Sequence, residues 1–207
     1  MVKMVKIALV SLVAMVCLLG FAQNDNGVSG SGPQYTSDGQ LKVPEGYREW
    51  VYLTTGFDMS YNPAMRMGHH MFDNVFVNPE AYHAFLETGT WPDKTVMVLE
   101  GRMAQGVGSI NKAGNYQGTD VMAVEVHVKD KSRFAGGWAF FPFDDSKTAK
   151  MIPTTADCYK CHSAHGAVDT TFVQFYPTLL PIAKAKGTLS QAYVKEQAAG
   201  KDDAGPK

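Results

Sequence analysis

The sequence predicts an α+β fold in which helices flank an antiparallel β-sheet. Segments rich in β-branched and aromatic residues fill the first two-thirds of the core, and helical segments follow after Asp144. Between them, Val121 to Lys129 alternates with period two, as a strand of such a sheet does.

Each element has a local reason. Trp50 to Thr55 is β-branched and aromatic, and Met71 to Val77 reads as a second strand. Pro79 opens a helix that runs to about Glu87, with proline in the first turn and Gly89 past the end. Thr95 to Glu100 and Val121 to Lys129 are the clearest strands. In the latter, Met122, Val124, Val126 and Val128 form the expected buried face. Gly101 to Gly118 is glycine-rich, lacks the Gly-Lys-Ser/Thr ending of a phosphate loop, and reads as a long hairpin connection. Gly137 to Phe143 is a further aromatic strand. Helical segments are expected around Ser146 to Lys150, around Cys158 and from about Thr171 onward.

The chain has 207 residues, 45% hydrophobic, with 19 basic and 20 acidic side chains. That composition excludes a disordered or collagen-like chain, and the balanced charge argues against nucleic-acid binding. Residues 1–22 combine Lys3 and Lys6, an apolar run from Ile7 to Leu19 and small residues at Gly20 and Ala22. This is the layout of a secretory signal peptide, cleaved near Ala22, and it implies a periplasmic protein. The run is short for a membrane span. Residues 23–40 are rich in Gly, Ser and Asn and read as a flexible leader, 41–186 as the folded domain, and 187–207 as a polar tail.

The chemistry lies in Cys158-Tyr159-Lys160-Cys161-His162. Cys-x-x-Cys-His is the attachment signature of c-type haem. Two thiols on adjacent helical turns add to the two vinyl groups, and the next residue, His162, supplies the proximal imidazole and so is the metal ligand. A thioredoxin-like dithiol belongs near the start of a βαβ unit, whereas this pair follows a run of strands. Half a zinc site needs two more ligands, of which only His165 is at hand. A disulfide across so short a loop is strained. The pattern therefore predicts one covalent haem c per chain, near the C-terminal end of the domain. The sixth position of the iron then separates an electron carrier from a gas binder or an enzyme.

The chain resembles the cytochrome P-460 family, which includes the cytochromes c′-beta. The landmarks are Tyr47 to Val51, Val75 to Tyr82, Thr88-Gly89 before Thr95 to Glu100, Val128-Lys129-Asp130 with Arg133-Phe134, Trp138 to Phe140, Cys158 to His162, and Phe175-Tyr176-Pro177. The resemblance covers about Val43 to Leu180. It implies a homodimer of antiparallel-sheet subunits, each with one five-coordinate c-type haem bound through His162 and an open distal face. Hydroxylamine-oxidising members of the family bond a lysine to the macrocycle from the position that Leu99 occupies here. Lys94 is five residues away and faces the other side of a strand. The resemblance therefore points to the c′-beta type, which lacks the haem–lysine cross-link and binds nitric oxide and carbon monoxide.

Leu99 and Met97 share a strand face and are candidates for a dry ceiling over the iron. Either that face is ordinary core, or Met97 is a sixth ligand and the protein passes electrons to a partner protein. Glu125 lies where oxidising members carry a pocket carboxylate. As a catalytic residue it would relay protons; otherwise it faces solvent with His127 and Lys129. His69 and His70 read as loop residues, and His165 as exposed or near a haem propionate. Phe72, Phe76, Phe140 and Phe143 read as core, although the resemblance also allows a phenylalanine cap. The eleven methionines are scattered, which suits packing better than a copper site.

Overall fold

The computed structural model describes residues 30–60, 68–144 and 146–200. The expected signal segment lies outside them. Strands β1 (Leu41–Lys42), β2 (Val51–Phe57) and β3 (Met71–Val77) precede helix α1 (Pro79–Thr88). Then come β4 (Val96–Gln105), β5 (Tyr116–Lys129), β6 (Trp138–Phe143) and β7 (Thr148–Ala149). Helices α2 (Asp157–His165), α3 (Leu180–Lys186) and α4 (Gln191–Ala199) close the described chain. The fold is α+β, as expected.

β2 to β6 form one five-stranded sheet in sequence order, every neighbour antiparallel. α1 begins at Pro79 and stops at Gly89, whose φ of 73° is left-handed and suits glycine. The connection expected over Gly101 to Gly118 is shorter. β4 runs on to Gln105 and β5 starts at Tyr116, because Ala104 pairs with Gln117 and Gln105 with Tyr116. Gly101 adjoins a register shift within β4, while Gly106, Gly108 and Gly114 stay in the shortened connection.

A second correction concerns Ser146 to Lys150. Thr148 and Ala149 pair with Lys42 and Leu41 as a two-stranded sheet rather than forming a helix. A partner distant in sequence supplies the hydrogen bonds, which local propensity cannot foresee.

Both faces of the main sheet are covered, each by its own core. On one face Val96, Val98, Val126, Val128 and Phe141 pack with Leu41, Tyr47 and Phe143. On the other, Val77 and Met97 pack with Phe85 and Trp91 and with Val168, Val173 and Leu179 from the C-terminal third. The expected buried set on β5 holds for Val124, Val126 and Val128 but not for Met122, which is exposed near the hairpin.

Residues 31–40 lie on the domain. Tyr35 donates to Asp130 (3.3 Å) and its ring lies under the Arg133 guanidinium (3.9 Å), while Ser31 is buried and bonds Glu80.

Candidate functional site

Helix α2 carries Cys158, Cys161 and His162 and has no fully buried residue. Both thiols are free, Cys158 exposed and Cys161 half-buried. Burial, with the charges of Cys158 and Glu196, pushes the Cys161 thiol up.

His162 points inward. Its ring meets Phe172 (centroids 4.2 Å), Phe140 (4.6 Å) and the edge of His127 (5.2 Å). Its Nδ1 lies 2.7 Å from the Thr170 carbonyl. A carbonyl only accepts, so Nδ1 carries the proton and Nε2 is left with its lone pair, as an imidazole ligand requires. Burial holds His162 below the ordinary imidazole range, against the upward pull of that carbonyl.

The sheet face behind this ring follows from register. Val77 opposes Met97, Met97 opposes His127, and His127 opposes Phe140. Directly opposed residues share a face, so this row stands on the same side as α2. One pleat repeat away, about 7 Å, Val75, Leu99 and Glu125 form the next row, with Pro142. The structure thus brings Leu99, Met97 and Glu125 onto the sheet face that meets His162. Met97 is buried within the core, Leu99 is half-buried, and Glu125 is accessible.

Glu125 is reached by water, yet burial, with the charge of Asp73, raises its carboxyl. Its side chain is reached by water while neighbouring protein atoms weaken its solvation. Asp73 is raised in the same way, by burial and then by the charge of Asp58.

His127 and Lys129 do not face solvent. His127 is 8% exposed, stacks on Phe140 (4.0 Å, 12°) and has Nε2 3.4 Å from Thr170 Oγ1. Burial, and then the His162 charge, hold it well below the ordinary range, so it is neutral. Lys129 donates to the Trp91 carbonyl and to Asp169, both at 2.7 Å. Sequence reasoning missed them because it assumed one wet face for β5. The polar residues alternating with an apolar stripe were the available signal. Thr170 acts through its backbone carbonyl, which no residue type announces.

The remaining candidates separate clearly. Phe140 reaches His162, whereas Phe76 and Phe143 pack on the opposite face. Lys94 lies outside β4 and is paired with Asp130 (2.5 Å) and Ser132 (3.2 Å). His70 pairs with Asp58. His165 meets Glu196 of α4 at 3.2 Å. That helix, within the expected polar tail, also buries Tyr193, and Ser190 donates to the Gly166 carbonyl at the end of α2 (2.7 Å).

The donor set fits a c-type haem: two accessible thiols one helical turn apart, an imidazole with a committed tautomer, and aromatic walls at Phe140 and Phe172. Among the described residues no group of three or more His, Cys, Asp or Glu side chains is arranged to hold a metal ion.

Comparison with known proteins agrees. No curated protein matches the chain. A family model described as Cytochrome P460 matches residues 44–173, the span from before β2 to just beyond the turn that carries Thr170. That match implies a haem cofactor, its span includes Cys158, Cys161 and His162, and the chain belongs to the cytochrome P460 family.

Proposed function

We propose that the chain is an exported mono-haem c-type cytochrome whose iron, held by His162, keeps one coordination position open and binds small diatomic ligands, foremost nitric oxide, with carbon monoxide as another. When bound, the haem supplies a redox-active iron with a vacant position. The observation that carries the reading is His162, with Nδ1 committed to Thr170 and Nε2 available, one residue beyond two free thiols.

Cys158 and Cys161 would tether the cofactor as thioethers. Leu99 has no nucleophilic atom, so it forms no bond to the macrocycle and neither donates nor accepts a proton. It crowds the pocket and excludes water. Met97 packs in the core beside Val77 and Phe85, which supports an open sixth position over electron transfer to a partner protein. A homodimer is part of the proposal. Val107 and Ile110, 75% and 92% exposed at the tip of the β4–β5 hairpin, offer apolar surface for it.

One observation favours a second reading, oxidation of hydroxylamine or a related small nitrogen species. Glu125 opposes Leu99 on the same face, and its raised carboxyl suits a proton relay.

Optical spectra of the purified protein, oxidised and reduced, with and without nitric oxide, separate the readings. We expect an unmodified high-spin spectrum that shifts with the gas, and haem that survives acid–acetone extraction. A strongly red-shifted reduced Soret band would indicate a cross-link and the oxidase. Sharp low-spin bands would indicate a sixth protein ligand.

A further inference from the structure

The turn after α2 is pinned at three points, none of them in the haem motif. Gly166 packs where no side chain fits: a Cβ there would stand 2.7 Å from the His162 carbonyl oxygen, 3.0 Å from the Asp169 carbonyl oxygen and 3.0 Å from the Thr170 carbonyl carbon. All three are backbone atoms and cannot swing aside. Asp169 takes a left-handed φ of 52°, which aspartate tolerates better than most residues. Its carboxylate receives Lys129 Nζ at 2.7 Å. Thr171 accepts from the Trp91 indole (2.8 Å) and donates to the Val168 carbonyl (2.7 Å).

Thr170 lies between these anchors and has little freedom. With Asp169 tied to the end of β5 and Thr171 tied to Trp91, its carbonyl is aimed at His162 Nδ1. That hydrogen bond gives the imidazole partial imidazolate character and strengthens Nε2 as a donor.

We infer that the Lys129–Asp169 ion pair is a positioning device for the axial histidine: it holds the Thr170 carbonyl on His162 and so sets how strongly His162 donates to the iron. Lys129 is remote in sequence from the haem motif, and its bonds go to Trp91 and Asp169. Its side chain is 9% exposed and that of Asp169 32%, so salt screens the pair only in part. The inference rests on His162 being the axial ligand.

The test is resonance Raman of the reduced haem-loaded protein, reading the iron–histidine stretch, together with the midpoint potential. Lys129→Met keeps the stem and removes the charge. Asp169→Asn, at a partly exposed site, carries the test if Lys129→Met does not fold. Both should move the stretch to lower frequency and raise the potential, and Lys129→Arg should return both toward wild type. Gly166→Ala should produce the largest shift. A wild-type stretch and potential in Lys129→Met and Asp169→Asn, even with a lowered melting temperature, would show that the pair only supports the fold and overturn the inference. Absence of any iron–histidine band in the reduced wild-type protein would overturn the five-coordinate, His162-ligated haem on which it depends.

Discussion

The two faces of the sheet come from the same strands but follow different rules. On the face that carries Val98, Val126 and Phe141, the buried positions are apolar except Glu100, which is 2% exposed, and Asn74 opposite it, which is bonded to Thr55 and Gln117. Glu100 is met by Tyr47, Arg48 and Arg102. Burial pushes its carboxyl up, but those hydrogen bonds outweigh it and hold it below the usual carboxylate range. The other face places Glu125 one register step from Glu100 and gives it no such partners among the described residues, and its carboxyl rises. Two glutamates on neighbouring strands thus take opposite shifts. Where the face is closed, a charge persists only with donors around it. Where the face is open, the group keeps its proton longer and is available for proton transfer.

The largest separation between the faces should come from side-chain removal. Phe141→Ala should cost about 3–5 kcal/mol by chemical denaturation, with the haem spectrum unchanged. A spectral shift in that variant would show that the faces are coupled.

The glutamates should differ next. Glu100→Ala strands two arginines and should cost about 3 kcal/mol, the low end for a broken buried pair because Arg48 is largely in water. Glu125→Gln should stay within about 0.5 kcal/mol, because its carboxyl gains little from being charged. If the reading of hydroxylamine oxidation is right, that same change lowers turnover; if gas binding is right, nitric oxide affinity is untouched.

His127 sharpens the comparison through pH. Its folded-state pKa is depressed, so the unfolded chain binds the extra proton first. The stability it supports is complete above about pH 6.5 and falls as pH drops below that, by about 1.4 kcal/mol per pH unit. The raised carboxyls of Glu125 and Asp73 act with the opposite sign, adding stability as pH falls through their range. His127→Leu should flatten the loss between pH 6.5 and 5. An unchanged slope in denaturant titrations would show that another group carries it.

Leu99→Ala should affect stability less than Phe141→Ala or Glu100→Ala. The residue is half-buried, so the loss should fall below the roughly 2–5 kcal/mol of a fully buried leucine. Its effect should appear instead in kinetics, as faster nitric oxide association by stopped flow. Rates indifferent to the change would remove Leu99 from the pocket.

Much of the fold was legible in the chain. β3 was bounded to the residue and α1 to within one residue, because Pro79 and Gly89 act on their own backbone. That Cys158, Cys161 and His162 share one helix was legible because it depends on spacing within one segment. The short strand at Thr148 was not legible, since its hydrogen bonds come from Leu41 and Lys42, more than a hundred residues away. The same holds for β5, where the alternation of Val124, Val126 and Val128 was visible but the burial of His127 and Lys129 was not.

What the sequence alone determined, then, is what neighbours along the chain determine: the strand period, the helix punctuation, and the placing of a Cys-x-x-Cys-His motif on one helix. Only the tertiary structure decided which sheet face meets His162, and that a carbonyl at Thr170 fixes its tautomer. It alone distinguished a glutamate surrounded by donors from one whose carboxyl is raised by burial. These depend on desolvation and on backbone atoms brought together from distant segments, and neither is a property of a residue type or of a spacing.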